Sequence, residues 1–151
     1  MSIEDRLADL GIDLPPVAKP VAAYVPAIQV GDQISTSGQL PLVSGSLPMT
    51  GLVGDQISQG DAAGQARVAA LNALAAAADV AGGVNNIRRV VRVVVYVAST
   101  ADFTAQPAVA NGASELLGEI FGDAGRHIRS AIGVASLPLG APVKVELTVQ
   151  V

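Results

Sequence analysis

The chain of 151 residues contains no cysteine, no tryptophan and a single histidine, His127. Without cysteine it cannot form a disulfide framework, a thiolate metal site or a cysteine nucleophile. A lone histidine has no second His or Cys ligand, so we interpret His127 as a structural or surface imidazole rather than as part of a metal centre. No serine lies in a G-x-S-x-G sequence, and neither glycine-rich phosphate-binding motif is present. We therefore expect no cofactor and no metal.

Aromatic residues are also scarce, with two Phe and two Tyr, while half of the chain is apolar. The core must therefore be built from Ala, Val, Leu and Ile. The formal net charge of −4 argues against non-specific binding to phosphate backbones. Three arginines cluster at Arg88, Arg89 and Arg92, but only Tyr96 accompanies them as a stacking group. We interpret them as a solvated or interface-facing edge and expect no nucleic-acid partner.

Long apolar runs and targeting signals are missing as well. The most apolar stretch, residues 68–84, is mainly alanine and is interrupted by Asn72 and Asp79, so it is too weakly hydrophobic to span a bilayer. Near the N-terminus, Glu4 and Asp5 occupy positions where an export signal has basic residues, and no apolar region follows. We expect a cytoplasmic protein with no membrane partner.

The apolar periodicity predicts one α+β domain over residues 1–151. Helices are predicted over residues 2–10, over the alanine-rich residues 58–81 before Gly82-Gly83, and from Pro107 to Phe121. Strands are predicted over residues 24–30, 33–37, 88–97, 128–136 and 143–151. An extended connector at residues 15–20 and a long loop at residues 41–55 complete the chain. The order ββαβαββ predicts two helices on one face of a mixed sheet.

The strand at residues 88–97 indicates that the second sheet face is not left to water. Its odd-numbered valines from Val91 to Val97 are predicted to pack under the helices. Val90, Val94 and Tyr96 would then lie on the face that helices do not cover. Burying these side chains requires another subunit, so the pattern predicts an oligomer with sites between subunits.

Arg129 and Glu146 are the candidate functional pair. Because Ile132 and Val134 are assigned to the core, Arg129 is expected on the uncovered face beside the small residues Ala131 and Gly133. Strict alternation in the last strand assigns Glu146 to that same face. Such a face could hold a pocket, although a surface arginine and a surface glutamate remain an alternative on these facts.

The expected strand pairing keeps the two charged groups apart. If residues 137–142 form a hairpin loop, Gly133 lies opposite Glu146 and Arg129 lies four residues further along, roughly 13 Å away. Arg129 would then be free to bind an anionic ligand, and Glu146 free to transfer protons.

Two sequence blocks resemble the Rid (YjgF-like) family, to which the label endoribonuclease L-PSP-like is also attached. They are Thr36-Ser37-Gly38-Gln39-Leu40-Pro41, and Arg129 to Pro138 followed by Val143-Lys144-Val145-Glu146. Further matches are Tyr24 with the Gly31 turn, the helix near Ser58, Val93 to Val97 with Asp102-Phe103, and Asn111. The resemblance covers about residues 20–151. It implies a chorismate-mutase-like fold and a homotrimer with clefts between subunits.

The resemblance also implies a reaction and its residues. It implies hydrolysis of reactive 2-imino or enamine acids to 2-keto acids and ammonia, with no cofactor. Arg129 would hold the substrate carboxylate, and Glu146 would position or activate water. The substrate-binding residues that it implies are Tyr24, Ser37, Gly38, Asn111 and Ala131.

This chain departs from the family pattern around that pocket. It has His127-Ile128-Arg129 where the family often has Pro-Ala-Arg, and Ala131 where well-known members have cysteine. Residues 1–16 are an extension, and the loop at 41–55 is lengthened. Two alternatives stay open: a non-catalytic trimer that binds a small carboxylic acid, and a ribonuclease, which the acidic composition and lone histidine disfavour.

Overall fold

A computed structural model describes residues 1–17 and 23–151, which form a five-stranded mixed sheet with two long helices on one face. The helices are α1 (Ile3–Asp9), α2 (Gln59–Ala81) and α3 (Gln106–Phe121). The strands are β1 (Ala27–Val30), β2 (Gln33–Thr36), β3 (Arg89–Ala98), β4 (Ile128–Val134) and β5 (Val143–Gln150). The predicted α+β order is confirmed. Part of the predicted connector, residues 18–20, lies outside the described residues.

Local signals explain where the helices begin and end. The Ser2 hydroxyl accepts a hydrogen bond from the Asp5 N–H at the start of α1, and the Ser58 hydroxyl caps α2 in the same way. α2 ends where Gly82 adopts the left-handed conformation, with φ of 80°. No helix within the described ranges, α2 included, is both long and apolar enough to cross a membrane.

The β1–β2 hairpin forms at the predicted Gly31-Asp32 turn, and Val30 pairs with Gln33 across it. Gly31 has φ of 63°, which suits the tight turn. β1 is shorter than predicted because it begins at Ala27 rather than at Tyr24. Pro26 precedes it and has no N–H to donate to a ladder.

The predicted hairpin between the last two strands is wrong. The sheet order is β1-β2-β5-β3-β4, so β3 separates β4 from β5. β4 runs parallel to β3, and β5 runs antiparallel to it. The connection crosses the end of β3, where the Ala98 N–H donates to the carbonyl of Pro142 and the Ser99 N–H donates to that of Val134. This arrangement satisfies both edges of a buried, valine-rich strand.

A β-bulge at Val91 changes the faces of β3. Val90 pairs with Val149 but Arg92 pairs with Thr148, so Val91 is an extra residue. Val90 is therefore fully buried under the helices, whereas Val91 is half-buried. Both had been predicted on the opposite faces. Beyond the bulge the prediction is confirmed, since Tyr96 lies on the uncovered face.

The long loop before α2 is irregular, as predicted, but it is tied to the rest of the fold. The Asn72 side chain of α2 donates to the carbonyls of Leu40 and Leu42, both at 3.0 Å. Val53 and Ile57 of the loop are buried in the core. These contacts hold the loop against the helix layer.

Gly112 allows α2 and α3 to approach closely, and substituting it should destabilise the protein. A Cβ on Gly112 would overlap the carbonyl of Ala63 in α2. We expect Gly112→Ala to lower the free energy of unfolding by about 1–3 kcal/mol in urea denaturation. Gly64→Ala is the matched control, since that exposed helical glycine has no heavy atom within 4 Å of the added Cβ. Gly64→Ala should raise the free energy of unfolding by about 0.5–1 kcal/mol. Equal stability of the two variants would contradict the close approach.

Candidate functional site

Arg129 lies on the helix-facing side of β4, and not on the uncovered face as predicted. It pairs with Val93 of β3, and Ala131 pairs with Val95. Both valines are fully buried under the helices, and paired residues in a sheet share a face. The prediction failed because Ile132 was assigned to the core. Ile132 in fact pairs with Tyr96 on the uncovered face and is 43% exposed.

One nitrogen of Arg129 is anchored by α3. Its Nη1 donates to Asn111 Oδ1 at 2.8 Å and to Ser114 Oγ at 3.2 Å. Within residues 1–17 and 23–151, Nη2 and Nε have no hydrogen-bond acceptor and the guanidinium has no carboxylate partner. Arginine carries five N–H donors in a planar fork. Three of them therefore remain available to a ligand.

Ser114 also contacts His127, which was predicted to be a structural or surface imidazole. Ser114 Oγ lies 2.9 Å from His127 Nε2, and His127 Nδ1 lies 2.6 Å from the carbonyl oxygen of Gly125. Ser114 was missed, although its i, i+3 spacing from Asn111 puts both side chains on one face of a helix. Ser114, His127 and Arg129 border a cleft of about 450 Å³ that Arg126 and three glycines also line.

Ala131, a predicted substrate-binding residue, lies in a second cleft of about 730 Å³ beside β4. The cleft extends to Gln106 at the start of α3 and to Thr100. The Gln106 side chain packs closely on Gly133, since a Cβ there would lie 2.7 Å from the Gln106 amide nitrogen. The Thr100 hydroxyl is buried with no hydrogen-bond partner among the described residues. The helix side of β4 thus offers space on both sides of Arg129.

Glu146 lies on the uncovered face, as predicted. It pairs with Val94 of β3, and its Oε1 accepts a hydrogen bond from the Tyr96 hydroxyl at 3.2 Å. Burial first, and the negative charge of Glu146 second, raise the pKa of Tyr96, while Arg92 opposes them. The hydroxyl therefore stays protonated and fixes the carboxylate. Tyr96 was not predicted as a site residue.

Ser37 and Gly38 accompany Glu146 rather than Arg129. The Ser37 hydroxyl accepts from the Gln39 side chain at 3.2 Å, and Gln39 pairs with Val145 through two backbone hydrogen bonds. A Cβ on Gly38 would overlap the side chain of Lys144, which would then have to move. Tyr24 precedes β1 and is 52% exposed.

The predicted site residues therefore form two groups within one chain. Arg129, Asn111 and Ala131 lie on the helix side of the sheet. Glu146 lies on the uncovered side, Gly38 lies against the side chain of Lys144, and Ser37 contacts Gln39, which pairs with Val145. Arg129 and Glu146 of one chain therefore lie on opposite faces of the sheet and do not face each other.

Comparison with known proteins places the chain among similar folds. The family model described as "YjgF/chorismate mutase-like, putative endoribonuclease" matches residues 4–151. Protein TCP17 of Trypanosoma cruzi is 40% identical over 146 residues, which cover 96% of this chain and 91% of that protein.

Two bacterial crystal structures are also similar. A "putative endoribonuclease" of Shewanella oneidensis is 33% identical, with a TM-score of 0.95 and full coverage of both chains. Protein Atu1372 of Agrobacterium tumefaciens, described as of unknown function, is 41% identical, with a TM-score of 0.89 and coverage of 99% of this chain and 92% of that one. The first similarity includes the N-terminal helix α1, which is therefore a shared feature.

The raised pKa of Tyr96 can be measured directly in a Tyr24→Phe variant, where Tyr96 is the only tyrosine. We expect the tyrosinate absorbance to rise with a midpoint above the ordinary value of 10.0. Because the pKa of Tyr96 is higher in the folded than in the unfolded protein, its contribution to the free energy of unfolding is present below the unfolded pKa. That contribution is lost as pH rises through the folded pKa. Adding Glu146→Gln should lower the midpoint only in part, because burial remains. A midpoint at or below 10.0 would refute the contact.

Proposed function

The chain belongs to the YjgF/chorismate mutase-like family, and from this premise we propose that it hydrolyses reactive 2-imino or enamine acids to 2-keto acids and ammonia. The observation that carries the proposal is the state of Arg129: one nitrogen is anchored by α3 and the other N–H donors remain available. The reaction requires no cofactor, because the C=N bond of such a substrate is already reactive toward water.

Arg129 would bind the substrate carboxylate. Its Nη2 and Nε lie on one edge of the planar fork, the geometry that receives two carboxylate oxygens at once. Each such charge-assisted hydrogen bond contributes about 1.5–3 kcal/mol. Asn111 and Ser114 hold the opposite nitrogen, so the free edge is oriented before the ligand arrives. A 2-imino acid bound in this way has its reactive carbon next to the arginine.

Glu146 would accept a proton from the attacking water. The oxygen of that water forms a bond to the imine carbon, and the electron pair of the C=N bond moves to nitrogen, which takes up a proton. The resulting carbinolamine expels ammonia when its hydroxyl loses a proton and the C=O bond forms. Glu146 can accept and return these protons, which is general acid–base catalysis. Holding the reactants together supplies much of the remaining acceleration.

Two copies of the chain are needed to bring these groups together. Arg129 and Glu146 point away from opposite sides of one sheet, so a complete cleft takes Arg129 from one subunit and Glu146 from its neighbour. We propose a homotrimer, in which one heterologous contact repeated around a threefold axis closes the ring. Four exposed apolar residues on the uncovered face support burial of that face: Ile28, Val30, Ile128 and Ile132.

Substitution of Arg129 tests the reaction. A serine dehydratase can generate 2-aminoacrylate in situ, and pyruvate release is measured with and without the protein. We expect Arg129→Ala to reduce kcat/KM about 10²- to 10⁴-fold, because two charge-assisted hydrogen bonds are lost. Arg129→Lys keeps the charge but not the planar fork, so its kcat/KM should lie between those of the wild type and Arg129→Ala. If Arg129→Ala accelerated pyruvate release as much as the wild type does, the role assigned to Arg129 would be contradicted.

The same proteins separate the alternative functions. If wild-type protein binds pyruvate in calorimetry through Arg129 but does not accelerate hydrolysis, the chain is a non-catalytic carboxylate-binding protein. Cleavage of single-stranded RNA by the wild type, with no effect on imines, would instead support the endoribonuclease named in the family description.

Mixing two inactive variants tests the shared cleft. When Arg129→Ala and Glu146→Gln chains are refolded together in equal amounts, about one quarter of the clefts in random trimers should hold both wild-type residues. Activity should return to about that fraction. Mixing Arg129→Ala with the Arg129→Ala/Glu146→Gln double variant is the matched control, since no chain in that mixture supplies Arg129. It should recover nothing, and recovery in neither mixture would contradict a cleft between subunits.

A further inference from the structure

A continuous chain of hydrogen bonds runs from the backbone to the proposed carboxylate anchor. It starts at the carbonyl of Gly125 and passes through His127 Nδ1 and Nε2, at 2.6 Å and 2.9 Å from their partners. It then passes through Ser114 Oγ and ends at Nη1 of Arg129, 3.2 Å away. His127 is the only histidine in the chain. The reaction proposed above gives His127 no role, and it uses Ser114 only as an acceptor for Arg129.

The two ends of this chain fix two of the hydrogen-bond directions, and the neutral form of His127 fixes the third. A carbonyl oxygen only accepts, so His127 Nδ1 must donate to Gly125. In the neutral imidazole Nε2 is then an acceptor, and the Ser114 hydroxyl donates to it. The remaining lone pairs of Ser114 accept from Arg129, which can only donate. A neutral His127 with its proton on Nδ1 therefore gives a partner to both imidazole nitrogens, to the Ser114 hydroxyl and to Nη1 of Arg129.

Close packing of the backbone fixes the first member of this chain. A Cβ on Gly125 would lie 2.5 Å from the carbonyl oxygen of Leu117, so only glycine lets this turn approach α3 so closely. His127 follows two residues later and is half-buried against Ser114. The imidazole thus bridges a rigid turn and a helix. The position of the Arg129 guanidinium therefore depends on both the Gly125 turn and α3.

We propose that His127 and Ser114 are positioning residues, which hold Arg129 so that its free N–H edge faces the carboxylate of the ligand. The inference rests on the carboxylate-binding role proposed for Arg129. The 2.9 Å spacing would also suit a serine nucleophile and its base. However, the guanidinium already donates to the same serine oxygen, which lowers its electron density. The pair therefore orients Arg129 and does not attack a substrate.

The tautomer of His127 gives a test that needs no activity. Because there is one histidine, a long-range ¹H–¹⁵N spectrum of the whole protein shows a single pair of imidazole nitrogens. At mildly alkaline pH we expect Nδ1 to be protonated and Nε2 to be unprotonated, although free imidazole side chains in water prefer the reverse. Ser114→Ala should shift the Nε2 resonance. A proton on Nε2 in the wild type would overturn the assigned hydrogen-bond chain.

The motion of Arg129 gives a second readout that is independent of turnover. In the wild type we expect separate Nη proton resonances, since two hydrogen bonds restrict rotation of the guanidinium. They are assigned by their loss in Arg129→Lys. In Ser114→Ala they should broaden or merge, whereas Ser114→Thr, which keeps a hydroxyl, should retain them. Unchanged resonances in Ser114→Ala would overturn the positioning role even if the protein proved inactive.

Kinetics then distinguish positioning from folding. We expect Ser114→Ala and His127→Phe to raise the KM for the imine about tenfold, with kcat changed by no more than about twofold. Ser114→Thr and His127→Gln should recover most of the loss, because each keeps an acceptor or hydroxyl near the missing atom. An unchanged KM in both disruptive variants of an active protein would contradict the inference. If the wild type neither hydrolyses imines nor binds pyruvate, the proposed function fails, and the two spectroscopic tests still decide the positioning role.

Discussion

The pairing of β3 with a different strand on each edge is the constraint on which the rest of the structure depends. Val94 is aligned with Ser130 of β4 and with Glu146 of β5. Since side chains alternate along a strand, this alignment directs Glu146 to the uncovered face and Arg129 to the helix side. A slip by one residue would move the buried valines of β3 to the other face, at about 1.5–3 kcal/mol for each. The positions of both charged groups therefore follow from core packing.

The edge position of β4 gives Arg129 properties that a central strand could not. On a central strand, the helix-facing side chains are fully buried, as Val93 and Val95 are. An arginine there would carry a large desolvation cost. At the edge, Arg129 is only half-buried. α3 supplies two acceptors to its guanidinium, while part of the side chain stays exposed to solvent. Because Gly112 sets the contact between α2 and α3, it also helps to place those acceptors.

Sequence reasoning succeeded where the signals are local. The bounds of α2 depend on Ser58 and Gly82, and the β1–β2 turn depends on Gly31, so each could be predicted from adjacent residues. Strand adjacency is not local, and the assumed β4–β5 hairpin was wrong. The bulge at Val91 has no sequence signal, because it lies in a run of valines. Ile132 was assigned to the core because it is apolar, but it lies exposed on an edge strand. The strand pattern indicated Arg129 and Glu146 and the resemblance implied their roles, but neither indicated Ser114, whose contacts depend on how α3 packs against β4.

Correcting the face of Arg129 changes what oligomerisation means for the proposed function. With both charged groups on one face, a second subunit would only enclose a site already complete in one chain. With the groups on opposite sides of the sheet, the proposed recognition of a carboxylate depends on a single chain, because Asn111 and Ser114 bind Arg129 within it. The proposed activation of water by Glu146 would depend on a contact between chains. These two capacities can therefore be lost separately, and a binding protein and an enzyme could share this architecture and differ only in the neighbour's contribution.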